Sequence, residues 1–173
     1  MEQVKLGIIG AGNMGSGHIN NILAGKCPEV ALTAVADRRE SRRTWVKEQC
    51  PQGVTIFEEG CELIKSGLCD AVLIAVPHYQ HPTLAIEAFE AGLHVLCEKP
   101  AGVYTKQVRE MNEAAAKSGK VFAMMFNQRT NCLYRKMHEL VTGGSLGAIK
   151  RVNWIITDWY RTQGYYDSGD WRA

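Results

Sequence analysis

Three glycines at positions 10, 12 and 15, a carboxylate at 37 and a lysine at 99 are the residues whose types and spacing could do chemistry. The segment Gly10-Ala-Gly-Asn-Met-Gly15 has the spacing G-x-G-x-x-G and follows directly on the apolar run Val4–Ile9. In such a turn Gly10 lets the chain double back off a strand. Gly12 has no side chain to hold a diphosphate away from the backbone, and Gly15 lets the next helix lie close to the strand. That helix opens at Asn13 and Met14, where unpaired N–H groups and a positive dipole end would face an anion. Taken alone, the pattern is equally a structural device joining strand to helix.

A second apolar run, Val30–Ala36, ends in Asp37. An acid at that distance from the turn is placed to hydrogen-bond an adenosine ribose. Strand, turn, helix, strand and acid in this order point to dinucleotide binding. A carboxylate at 37 would repel a 2′-phosphate, which favours NAD, with NADP as the alternative. Arg38 and Arg39 bear on that choice, because an arginine here can stack on adenine or pair with a 2′-phosphate. The run Arg38, Arg39, Arg42, Arg43 otherwise reads as the solvated face of a helix start.

Lys99 follows a further strand in Cys97-Glu98-Lys99-Pro100. A lysine at a strand end can serve as acid or base where burial lowers its pKa. Pro100 restricts Lys99 to extended backbone and admits a cis peptide bond. The plain alternative is a solvated lysine in a turn.

These residues need a scaffold, and the hydrophobic pattern supplies one. Val4–Ile9, Val30–Ala36, Val54–Ile56, Ala71–Val76, His94–Leu96 and Val121–Met125 read as strands. Most are continuous apolar runs, as a parallel sheet covered on both faces requires. Helices fit between them. One begins near Glu40 and stops at Pro51. Another has Pro82 in its first turn and closes at Gly92. A third has Thr105 as N-cap and ends at Gly119. The expected fold is α/β, a doubly wound parallel sheet of the Rossmann kind over residues 1–125. From 126 the pattern changes. Asn131–Val141 reads as a helix, Ile149–Thr157 as a strand, and the tail is polar and aromatic. Residues 126–173 are expected to be the start of an α+β substrate domain.

The chain has 173 residues and a net charge of +2, too little to imply a nucleic-acid or membrane partner. Six cysteines without a C-x-x-C pair, and five histidines with no zinc-like spacing to them, argue for free thiols in a cytoplasmic protein and no metal site.

Three segments together carry a family resemblance: Gly10–Gly15, Ala75-Val-Pro-His-Tyr-Gln-His81, and Gly92-Leu-His-Val-Leu-Cys-Glu-Lys-Pro100. In order and spacing the chain resembles the glucose–fructose oxidoreductase / inositol dehydrogenase (Gfo/Idh/MocA) family of nicotinamide-dependent oxidoreductases. Asn127-Gln-Arg129 and Gly144-Ser-Leu-Gly147 extend the likeness. The resemblance implies that Lys99 is the active-site lysine, at the reacting hydroxyl or carbonyl oxygen, with Pro100 as its cis-proline neighbour. It implies that Glu98 sits beside the nicotinamide ribose and that Ala75, Val76 and Pro77 run under the cofactor. It matches His81 to the histidine of a Pro-x-x-x-His pattern, a residue that also reads as an N-cap ahead of Pro82. It sets Asn127 at the active cleft. The implied activity is hydride transfer between NAD and a sugar or polyol, in a protein that is homo-oligomeric at full length. The family's sugar- and polyol-acting members carry a further Asp-x-x-x-His in the second domain, but here no histidine follows His138. A dinucleotide-binding fragment or regulatory module without turnover is therefore the alternative. Asp158, Asp167 and Asp170 lie in the right half but outside that pattern. The aromatic tail around Trp159, Tyr160, Arg161, Tyr165, Tyr166, Trp171 and Arg172 reads as a sugar-stacking surface or as the flank of an interface.

Overall fold

In the computed structural model, which describes residues 2–50, 52–157 and 160–169, the chain divides into one unit up to Met125 and a second from Phe126. The first unit is built on six parallel strands: β1 (Val4–Ile9), β2 (Val30–Ala36), β3 (Thr55–Phe57), β4 (Ala71–Ile74), β5 (His94–Glu98) and β6 (Phe122–Met125). Their order across the sheet is β3-β2-β1-β4-β5-β6. The chain thus winds outward in one direction from β1, then returns past it to β4 and winds the other way. The crevice between β1 and β4, at the carboxyl ends of the strands, is where such sheets bind ligands.

Both faces of the sheet are covered, which explains the unbroken apolar runs. On one face Ile8, Val35 and Leu73 pack with Ile19 of α1 (Asn13–Leu23) and Val46 of α2 (Glu40–Gln49). On the other, Ile9, Val72 and Ile74 pack with Leu63 of α3 (Gly60–Lys65), Ala85 of α4 (His81–Glu90) and Met111 of α5 (Thr105–Ser118). The alternation of Ile8 with Ile9 and of Leu73 with Ile74 is the two-residue period of a strand buried from both sides.

Helix ends follow local chemistry with small offsets. Gly119 closes α5 in the left-handed conformation at φ 66°, as a glycine there should. Tyr104, not Thr105, is the N-cap of α5, and Thr105 is its first helical residue. Gln80, not His81, is the N-cap of α4. β4 stops at Ile74, two residues short of the expected strand, while β5 continues through Glu98 because Glu98 still pairs with Met125. α2 ends at Gln49; Pro51, expected to stop it, lies outside the described residues.

The second unit contains a 3-10 turn (Asn127–Thr130), α6 (Cys132–Thr142) and α7 (Gln163–Asp167). Asn131 caps α6 by accepting the Leu133 N–H at 2.9 Å. The strand expected over Ile149–Thr157 does not form. A strand exists through its ladder partner, and among the described residues nothing pairs with this segment. Val152 and Ile155 are 75% and 83% exposed. Of the aromatic tail, Arg161 stacks over Tyr165 at 4.2 Å, and Tyr165 meets Tyr166 edge-on at 5.3 Å. Asp158, Trp159, Asp170, Trp171 and Arg172 lie outside the described residues.

Candidate active site

The carboxyl ends of β1, β2, β4 and β5 bring the glycine turn, Asp37, Ala75–Pro77 and Glu98–Lys99 to one edge of the sheet. Two glycines shape the turn. Gly10 has φ 94°, and a Cβ there would lie 2.5 Å from the Ala75 carbonyl oxygen. A Cβ on Gly15 would lie 1.8 Å from the Gly10 carbonyl oxygen. The helix therefore starts against the turn at a distance only glycine allows.

Gly12 differs, since a Cβ there would meet only the guanidinium of Arg39 at 3.5 Å, and no backbone. Gly12 is the N-cap of α1 and supplies no side-chain cap, and the first turn holds no acidic residue. The orphan N–H groups at the start of α1, at Asn13 and exposed Met14, are left for an external acceptor. The cradle therefore fits a diphosphate.

Asp37 is almost wholly buried and lies against this turn. Its Oδ2 accepts the Ala11 N–H at 2.8 Å, and its Oδ1 accepts the Arg39 N–H at 2.9 Å. The Arg39 guanidinium adds contacts of 3.2 and 3.3 Å. Burial pushes the Asp37 carboxyl up, but the Arg39 side chain and the two backbone N–H groups outweigh it. The net result is a carboxyl below its ordinary value.

Of the arginine run, Arg38 and Arg39 are exposed, as a solvated helix start would be, while Arg42 and Arg43 are half-buried. Arg39 covers Asp37, Arg42 donates to the Ala11 carbonyl at 2.7 Å, and Arg43 donates to the carbonyls of Asp37 and Arg38 at 2.9 and 2.6 Å. Arg38 turns away and donates to Glu59 at 2.9 Å. These contacts stitch the start of α2 to the glycine turn and to the end of β2.

Across the crevice, Ala75 and Val76 are half-buried and Pro77 is exposed. His81 is fully buried. Its Nδ1 lies 2.7 Å from the Pro100 carbonyl oxygen and its Nε2 2.8 Å from that of Val76. It joins the two walls of the crevice from beneath. The Lys99–Pro100 peptide is cis, and Lys99 itself is exposed. Glu98, 5% exposed, accepts the Lys99 N–H at 3.3 Å through Oε2. Its Oε1 lies 2.8 Å from Nε2 of His18 on α1. His18 was not singled out in the sequence, because 80 residues separate it from Glu98. The Cys97 thiol beneath is pushed up to about 12 by burial and by the Glu98 charge. Asn127 opens the 3-10 turn of the second unit, where its carbonyl accepts from the Thr130 hydroxyl at 2.7 Å.

Residues 4–126 match the oxidoreductase family with an NAD-binding Rossmann fold, Gfo/Idh/MocA. The chain is 34% identical over 148 residues to inositol 2-dehydrogenase of Rubrobacter xylanophilus, covering 85% of this chain and 42% of that protein. It is 34% identical over 124 residues to D-glucoside 3-dehydrogenase of Escherichia coli, covering 70% of this chain and 34% of the relative. Among solved structures it is similar to scyllo-inositol dehydrogenase from Lactobacillus casei with bound NAD(H) and scyllo-inositol. There the TM-score is 0.78 and the identity 30%, over 84% of this chain and 43% of the other. The chain thus spans less than half the length of these relatives.

Proposed function

The chain belongs to the Gfo/Idh/MocA oxidoreductase family, and on that premise we propose that it serves an NAD-dependent dehydrogenase acting on a hydroxyl or carbonyl of a polyol or sugar. The observation that carries this reading is the meeting, at one sheet edge, of an uncapped glycine turn, a charged acid bonded to it, and an exposed lysine at the end of β5. NAD accepts or returns a hydride at its nicotinamide when bound. The first turn of α1 binds the diphosphate through the N–H groups of Asn13 and Met14, over the open space at Gly12. Asp37 receives the adenosine ribose hydroxyls, and its negative charge disfavours a 2′-phosphate. The exposed Arg39 moves aside or shares the carboxylate.

Ala75, Val76 and Pro77 form the floor under the cofactor, fixed from below by His81, and Glu98 lies beside the nicotinamide ribose. Arg38, bonded to Glu59, borders the adenosine end. Lys99 donates a hydrogen bond to the reacting oxygen and helps move its proton. The dehydrogenase relatives support a small-molecule partner; among the described residues no helix is long and apolar enough to cross a membrane. The dehydrogenase names of the relatives favour turnover over a binding module without it.

The experiment is a screen of inositols and sugars with NAD, reading NADH formation by absorbance for wild type and Lys99→Ala. The expected loss in the variant is about 10²–10⁴-fold in rate. Equal rates would remove Lys99 from the chemistry.

A further inference from the structure

The contact between His18 and Glu98 joins α1 directly to the end of β5. His18 sits within α1, the helix whose first turn faces the diphosphate, and its side chain is 19% exposed. Glu98 ends β5 with its side chain 6% exposed. One carboxylate oxygen meets His18 Nε2 at 2.8 Å, and the other accepts the backbone N–H of Lys99 at 3.3 Å. A carboxylate only accepts, so the His18 proton in this bond is on Nε2.

Stability is a poor reason for such a pair. Two apolar side chains of similar volume would fill the space without desolvating a charge, and replacements of that kind are often neutral or stabilising. What the pair supplies is orientation. With both oxygens engaged, the Glu98 side chain has one setting, and that setting fixes the peptide leading into Lys99. The peptide following Pro100 is held from the other side by His81. Lys99 is thus bracketed, and the bracket on its N-terminal side reaches back to α1.

We propose that His18 is a positioning residue that acts through Glu98 to set Lys99 against the dinucleotide helix. The inference rests on the reading of Lys99 as the residue that faces substrate. It goes beyond that reading by giving α1 a second task besides holding phosphates.

The test compares wild type with His18→Ala, His18→Asn and His18→Gln. Gln carries its amide N–H to nearly the reach of His Nε2, while Asn falls short of Glu98. Asn also stands in for Ala should the latter not fold. The first readout does not depend on activity. Lysines are labelled by ¹³C reductive methylation, the Lys99 signal is assigned with Lys99→Arg, and its position is recorded by NMR with NADH present. The signal is expected to move in the Ala and Asn variants and to return in Gln. Because Gln has no ring, its recovery assigns the effect to the hydrogen bond and not to a lost ring current.

The second readout is steady-state oxidation of whichever polyol the wild type accepts. In the Ala and Asn variants kcat is expected to fall roughly tenfold or more, with the KM for NAD within about twofold and activity recovered by Gln. A Lys99 signal unmoved in Ala and Asn, or displaced equally in all three variants, overturns the proposal. A wild type that oxidises no polyol overturns the proposed function instead, and leaves the NMR result to decide this one.

Discussion

Oδ2 of Asp37 lies 2.8 Å from the backbone nitrogen of Ala11, inside the glycine turn. The end of β2 and the turn after β1 are therefore one unit, and the acid expected to grip a ribose also holds the phosphate cradle in shape. Ala11 is fully buried, so deleting the carboxylate would strand its N–H at about 1–3 kcal/mol. Asp37→Ala should lower stability by that amount. It should also weaken NADH and narrow the discrimination against NADPH, since Arg39 would then face the 2′ position unopposed. Calorimetric titration with both nucleotides checks this, and an unchanged NADH to NADPH ratio would count against Asp37 as the discriminator.

The pH dependence of the same contact has a defined sign. The folded-state pKa of Asp37 is lower than its unfolded value. Its stabilising contribution is therefore complete above the unfolded value and is lost as pH falls through the folded one. The stability difference between wild type and Asp37→Asn should be constant above about pH 5 and shrink below about pH 4. Urea denaturation at a series of pH values measures it.

Two glycines in one helix should respond oppositely to alanine. Gly15→Ala puts a Cβ 1.8 Å from the Gly10 carbonyl oxygen, and should cost about 3 kcal/mol or more along with nucleotide binding. A Cβ on Gly17 would meet nothing within 4 Å, so Gly17→Ala should stabilise α1 by about 0.5–1 kcal/mol. Thermal unfolding of the two variants separates a close-approach requirement from mere glycine content.

Thiol reactivity should follow burial. Cys97 is fully buried with its thiol pushed up to about 12, and Cys69 is also raised by burial. Cys132 is exposed. With a disulfide reagent at pH 8, Cys132 should react at once, and Cys97 only when the protein unfolds. Above the ordinary thiol pKa the unfolded state ionises first, so the Cys97 contribution to stability declines from about pH 8.5 upward. Labelling followed by peptide mass mapping shows the order.

Much of the first unit was legible because its elements announce themselves locally. Val30–Ala36 could only be a doubly buried strand, and the glycine spacing with Asp37 located the crevice before the sheet order was known. The Glu98–Lys99–Pro100 strand end was readable in the same way. What stayed hidden depends on non-local partners. His18 gains its meaning from a carboxylate 80 residues away. Arg42 and Arg43 read as surface because they donate to backbone carbonyls, which no sequence pattern displays. Ile149–Thr157 has the side chains of a strand, but pairing decides a strand, and residue type does not.

The central claim is that residues 10–15 cradle a dinucleotide diphosphate. The most direct test is fluorescence titration of NADH against wild type and Gly12→Val. Valine keeps the fold's side of the turn open but fills the space where the diphosphate would lie. Saturable binding by wild type, weakened at least tenfold in a Gly12→Val protein of unchanged circular dichroism, is the expected result. Equal NADH affinity in the two proteins would contradict it.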